Sequence, residues 1–327
     1  MKVSYFYRSK GPGVYSVERL FRSIREHLPP EYETESFYCP LDSMRPDRIL
    51  QNCREAKKHQ GDLNHITGHN YYLAGALDGR KTLTTVLDLG NLRRLSGWRR
   101  SLFRYLQFSM PARKSRLLTA ISQSTKDDLV KEVGVNPDKV RVVYVPVNEE
   151  FVPSPKPFNK SKPTVMLNGS VWNKNIPRQL QALEGIPCQV NLIGHPDDAI
   201  KEAITKSSLE VKVESGLTDA EVMLRFVNCD LVLFASLLEG FGMPIVEANA
   251  VGRAVITGDR TSMPEIAGNA AIIVDPTDVN AIRSAVLQVI EDDGRREELI
   301  EAGFRNVERF RAPKLAAEYA EIYREIV

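Results

Sequence analysis

Ser236-Leu237-Leu238-Glu239-Gly240-Phe241-Gly242-Met243-Pro244-Ile245-Val246-Glu247-Ala248 is the stretch from which the fold is read. Residues 231–235, Leu-Val-Leu-Phe-Ala, precede it with the length and apolarity of a buried strand. Residues 245–251 come next and predict a short helix. Pro244 suits the first helical position, where a backbone N–H has no partner to lose. Gly240 and Gly242 bracket the turn and let the backbone come close to a ligand. Strand, glycine turn and helix N-terminus together make an anion site, because unpaired N–H groups and the positive end of the helix dipole converge there. Glu247 is placed in the first helical turn and Glu239 in the loop before it. Two carboxylates beside a phosphate cradle suit hydroxyl-rich groups on both sides of a diphosphate, a sugar and a ribose.

Upstream, residues 164–169, Thr-Val-Met-Leu-Asn-Gly, read as a strand ending in Gly169, and Lys174 comes five residues later. A lysine just past a strand–glycine turn can reach a phosphate as a point charge. Further strands are expected at 189–193, 210–215, 254–257 and 271–275, with helices between them. This β-α alternation is that of a doubly wound parallel sheet. The first half shows the same alternation. Residues 3–7 predict a strand, Gly11 and Gly13 a turn, and Val17, Leu20, Phe21, Ile24 and Leu28 a helix by their spacing of three and four. The opening is Rossmann-like without a complete G-x-G-x-x-G. Strands near 62–66 and 82–87 end in loops carrying His65, His69 and Asp88, at the strand ends where such sheets bind ligands. Residues 152–163 are rich in proline and polar side chains and read as a linker. Two domains are therefore expected: 1–155, with 313–327 packing back on it, and 160–312.

Length and composition agree with two soluble domains: 327 residues, 43% hydrophobic and 26% charged. The four cysteines, Cys39, Cys53, Cys188 and Cys229, have no metal-ligand spacing, so reduced structural thiols are expected, and no metal. The start of the chain has no long apolar core like that of a signal peptide, and no apolar run approaches the ~18 residues of a membrane span. A cytoplasmic protein is expected, peripheral at the membrane's cytoplasmic face if it touches one.

Residues 239–247 resemble the Glu-x7-Glu signature of the family 4 (group 1) retaining glycosyltransferases of GT-B fold, and the Glu-Gly-Phe-Gly context sharpens the match. Ala120-Ile-Ser122 with Ser124-Thr-Lys126, then Val145-Pro146, Asn148 and Phe151, is similar to the pattern that closes the N-terminal domain in that family. The resemblance implies two Rossmann-like domains with parallel sheets facing across a cleft, and a C-terminal helix crossing back to the N-terminal domain. It implies transfer of a sugar from a nucleotide-diphospho-sugar to a saccharide or lipid-linked saccharide, in surface polysaccharide or glycolipid assembly. Lys174 and Glu239 would be catalytic. Gly169, Glu239, Gly240, Phe241, Gly242, Met243, Pro244 and Glu247 would bind the donor. Gly11, Gly13, His65, His69 and Asp88 would face the cleft from the N-terminal domain. No cofactor or metal is implied. The chain departs from the family twice: Leu87 stands where a histidine is usual, and Ser170 where an arginine is common. These departures leave open a nucleotide-sugar-binding protein with lost or altered transfer, or a GT-B epimerase.

One more segment stands apart. Between Leu89 and Lys126 there are nine basic residues and no acidic one, so the rest of the chain carries −7 against a total of +2. On a helical wheel Trp98, Leu102, Tyr105, Leu106 and Phe108 share one side and Arg99, Arg100 and Arg104 the other. Such a helix can lie in an anionic membrane interface, so residues 93–116 are a candidate membrane surface. The alternatives are an aromatic face packed in the core, or arginines that meet acceptor phosphates. No nucleic-acid partner is expected, because no recognition module accompanies the basic residues.

Overall fold

A computed structural model describes residues 1–9, 16–42 and 45–327. The chain forms two units, Met1–Pro146 with Ala312–Val327, and Val147–Arg311. In the first, β1 (Lys2–Tyr7), β2 (Glu33–Tyr38), β3 (Leu63–Ile66), β4 (Thr82–Val86), β5 (Leu117–Ala120) and β6 (Val140–Val142) are all parallel, in the order β2-β1-β3-β4-β5-β6. Every residue of β3, β4 and β5 is buried. Helices cover both faces of a parallel sheet, so its inner strands show no alternation of polar and apolar positions.

The second unit repeats the design with β7 (Thr164–Asn168), β8 (Gln189–Ile193), β9 (Glu210–Glu214), β10 (Leu231–Phe234), β11 (Ala254–Gly258) and β12 (Ile272–Val274). Their order is β12-β11-β10-β7-β8-β9, again parallel throughout. Successive connections wind to opposite sides of β7, so the topological switch point lies between β7 and β10. The loops that leave these two strands are those carrying Lys174 and Glu239.

The C-terminal helix Ala312–Ile326 belongs to the first unit and buries Leu315, Tyr319, Ile322 and Tyr323. Its Tyr323 hydroxyl lies 2.7 Å from that of Tyr5, and Tyr32 donates to the Ala320 carbonyl at 3.0 Å. The first boundary falls at 146/147, ahead of the expected 155–160. Residues 147–163 look like a linker by composition but are pinned to the second unit. Val147 N–H donates to Phe310 O, Phe151 packs edge-on against Phe226, and Asp230 accepts from the N–H groups of Asn159 and Thr164.

The basic segment also differs from its expected form. The helix Gly97–Arg104 runs into a π turn, Tyr105–Ser109, before Met110–Lys114. The wider turn rotates the succeeding residues off the 3.6-residue period. Phe108 and Gln107 therefore point inward, while Trp98, Leu102 and Tyr105 remain 72%, 49% and 49% exposed. The stripe drawn on a regular wheel is thus split, half in the core and half on the surface. Arg100 is tied to Glu132 at 2.7 Å and Arg93 to Asp128 at 2.6 Å.

Candidate functional site

The loop after β7 is shaped around one lysine. Gly169 sits at φ +131°, and a Cβ there would lie 2.2 Å from Lys174 Cγ, so only glycine lets the lysine side chain fold back over the strand end. Gln179 Nε2 donates to the Lys174 carbonyl at 2.6 Å, and Gln179 Oε1 accepts from Ala235 N–H at 3.2 Å. The buried Asn175 holds a left-handed conformation, φ 57°, and its amide donates to the carbonyls of Ala235 and Pro276. These bonds fasten the β7 loop to the end of β10.

The ammonium so placed lies 2.8 Å from Glu239 Oε1 and 4.9 Å from the centre of the Phe234 ring. Glu239 is fixed in turn: its N–H donates to Thr261 Oγ1 at 3.0 Å, and Ser262 Oγ lies 3.0 Å from its carbonyl and 2.7 Å from that of Phe241. Asn173 closes the arrangement, accepting from Leu237 N–H at 2.7 Å and donating to Leu238 O at 2.8 Å. The helix Met243–Val251 starts beside this pair, with Gly242 at φ 118° as its N-cap and Pro244 in its second position. It begins earlier than its apolar run suggests, so Glu247 is its fifth residue and opens the second turn rather than lying in the first. The site is thus a cation–carboxylate pair beside a helix N-terminus.

In the first unit a recess of about 310 Å3 is walled by Arg8, His69, Tyr71, Leu87, Asp88 and Phe108. Asp88 Oδ1 accepts from Gly90 N–H at 2.7 Å, and His69 takes a left-handed backbone, φ 61°. His69 and Asp88 are thus brought together in one wall, with the apolar Leu87 beside them. Gly11 and Gly13 lie outside the described residues.

His65 is not a cleft residue. It lies in β3, fully buried, with Nδ1 2.8 Å from the Tyr323 hydroxyl and Nε2 2.7 Å from Thr85 Oγ1. Its role is to lock the C-terminal helix onto the sheet. Burial holds its imidazole down to about 3, from an ordinary 6.5. The unfolded chain takes up this proton as pH falls below 6.5 and the folded chain does not, so the stability His65 contributes is complete above 6.5 and is lost toward about pH 3. Urea unfolding at several pH values is expected to show a steeper loss below pH 6.5 in the native sequence than in His65→Gln. Parallel curves would refute it.

Two family models match the sequence: Glycosyltransferase Family 4 over residues 6–151 and Glycosyl transferases group 1 over residues 147–306. The chain belongs to the family 4, group 1 glycosyltransferases. It is 23% identical to the O-antigen chain mannosyltransferase B of Escherichia coli over 80% of this chain and 75% of that protein. Among solved structures it matches a sucrose-phosphate synthase from Thermosynechococcus elongatus, with TM-score 0.81 and 15% identity over 100% of this chain and 99% of the other. It also matches HepE of Anabaena, solved with UDP and glucose, with TM-score 0.78 and 16% identity over 99% and 100%. At such identities the structural likeness speaks for the fold, which is GT-B.

In this glycosyltransferase the residues that sequence reasoning misses are those that hold the pair rather than form it: Asn173, Gln179, Thr261 and Ser262. Only the last two leave a local trace, as hydroxyl residues set before the Met263-Pro264 opening of a helix.

Proposed function

We propose that this glycosyltransferase moves a hexosyl group from a nucleotide-diphospho-sugar to a saccharide or lipid-linked saccharide, with retention at the anomeric carbon and without a metal ion. The observation that carries the reading is the Lys174–Glu239 pair, 2.8 Å apart, beside the N-terminus of Met243–Val251. Breaking the anomeric C–O bond leaves positive charge on the sugar and negative charge on the diphosphate, and catalysis requires groups that stabilise that separation more than the ground state. Lys174 and the N–H groups at the start of the helix supply fixed positive charge for the diphosphate. Glu239 accepts from sugar hydroxyls, and Glu247 from the ribose. Until the donor arrives, lysine and glutamate hold one another in place. HepE, crystallised with UDP and glucose, supports a donor of this class, and the mannosyltransferase relative supports a polysaccharide acceptor.

Calorimetry with UDP-, GDP- and ADP-sugars tests the reading. One donor is expected to bind with unchanged affinity in EDTA, and Glu247→Ala is expected to weaken it by about 10-fold, the loss of one charge-assisted hydrogen-bond pair. A donor that binds only when manganese is restored would refute the metal-free reading.

No described helix is long and apolar enough to cross a membrane. A peripheral contact is supported by the exposed Trp98, Leu102 and Tyr105 beside the exposed Arg94, Arg99 and Arg104. Trp98→Ala with Arg99→Glu and Arg104→Glu is expected to abolish co-sedimentation with anionic vesicles, and retained binding would exclude this surface.

A further inference from the structure

Strands β4, β5 and β6 of the first unit begin at the end of the sheet opposite the loops of His69 and Asp88. At that end lies an open cavity of about 560 Å3. Four cationic side chains line it, each set before a strand: Arg80 before β4, Lys114 and Arg116 before β5, and Lys139 before β6. The turn carrying Arg80 packs tightly enough on the next segment that a Cβ on Gly79 would lie 2.0 Å from the Lys114 carbonyl oxygen, which brings these two cations to one rim.

The charge in this cavity is only partly neutralised. Two carboxylates also line it, Asp138 and Glu325, and Glu325 is engaged by Arg141 at 2.7 Å. Arg80 is held by Asp78, with contacts of 3.0 and 3.2 Å. Lys139 Nζ donates to the Ala112 carbonyl at 2.6 Å, capping the end of the helix Met110–Lys114. Lys114 and Arg116 form no ion pair among the described residues. Burial first, then the Arg116 guanidinium, lowers the Lys139 ammonium below its ordinary value.

We propose that this cavity is a second anion site, distinct from the donor site, that binds a phosphate-bearing ligand. A guanidinium fork and ammonium point charges converging from three strand starts match an anion with several oxygens. Among the described residues no aromatic side chain lines the cavity, so it offers no platform for a base or a sugar ring, and recognition is confined to the phosphate. The phosphate could belong to a lipid headgroup or a soluble compound, and either meets the same four cations.

Pyrophosphate calorimetry on the whole chain tests the assignment, because the donor site would compete for the same probe and can be removed separately. In Lys174→Ala, pyrophosphate is expected still to bind one equivalent. Adding Lys114→Glu and Arg116→Glu is expected to weaken that binding at least 10-fold. The charge-matched control Arg54→Glu with Lys57→Glu, two exposed residues of the first unit that do not line the cavity, should leave it unchanged. Unaltered melting curves would show that each variant folds. Co-sedimentation with phosphatidylcholine vesicles with and without phosphatidic acid identifies the source. Vesicle binding lost in Lys114→Glu/Arg116→Glu, and kept in the control, assigns a lipid phosphate. Pyrophosphate binding without that vesicle effect assigns a soluble one. If Lys174→Ala binds no pyrophosphate and the vesicles do not distinguish the two charge-reversed proteins, the cavity is not an anion site. Equal losses in the two charge-reversed proteins would show diffuse surface charge and overturn the proposal equally.

Discussion

Replacing Lys174 by alanine is expected to reduce kcat for sugar transfer by about 10²–10³, the usual cost of removing one preorganised donor at a centre where charge develops. The expectation rests on how firmly the ammonium is positioned. Its backbone is held by Gln179 and Asn175, its chain fills the space left by Gly169, and its nitrogen meets Glu239. The lysine therefore needs little rearrangement to meet the departing diphosphate. Two companion variants separate transition-state stabilisation from general damage. Lys174→Arg keeps the charge but changes its reach, and should recover only a small part of the rate. Glu239→Gln keeps the shape, removes the charge and frees the ammonium, so donor affinity should be affected less than kcat. Uniform binding losses with kcat intact in Lys174→Ala would assign the lysine to ground-state binding. Full activity would remove it from the mechanism.

The part of the candidate site around Lys174 and Glu239 is legible in the sequence because its signals are local. A strand, a glycine turn and a helix start occupy consecutive residues from 231 to 251, and each is specified by its own composition. Gly169 and Lys174 likewise lie within one loop. The supporting bonds are not legible, since Asn173 meets Leu238 and Thr261 meets Glu239 only after strands far apart in sequence become neighbours. His65 shows the limit most plainly. A histidine near the end of a strand reads as a ligand-facing group, but its partners Thr85 and Tyr323 lie 20 and 258 residues away, and the second is supplied by the last helix. The continuous burial of a parallel strand removes the alternation that would have marked its side chain as internal. The π turn at 105–109 is equally hidden, because hydrophobic periodicity assumes a constant twist. Leu87, by contrast, is visible as a departure from the family pattern, and the structure places it in the recess wall with His69 and Asp88.

Arg253→Met is expected to lower the stability of the second unit by about 3–5 kcal/mol, the range for uncovering a buried network of charged hydrogen bonds. Arg253 is 3% exposed, and its guanidinium is surrounded by backbone carbonyls. It donates to Cys229 and Val227 at the end of the helix Asp219–Asn228, to Val251 and Gly252 at the end of Met243–Val251, and to Ser154 of the incoming chain. Two helix C-termini with their negative dipole ends thus converge on one cation, which is the favourable sense of that interaction. Methionine fills much of the volume but satisfies none of the five acceptors. Each orphaned carbonyl costs about 1–3 kcal/mol if it stays dry, and the smaller total allows for rehydration of those nearest the surface. The melting temperature should fall by on the order of 10 °C for a unit of this size. Arg253→Lys should recover less than half, because an ammonium has three donors and no planar fork. Lys160→Met is the control: Lys160 pairs with Asp293 with both side chains half exposed, and its loss should cost about 1 kcal/mol or less. If Arg253→Met cost no more than the control, the carbonyls would have to be reached by water, and the segment around Ser154 would be held by Phe151 and Asp230 instead.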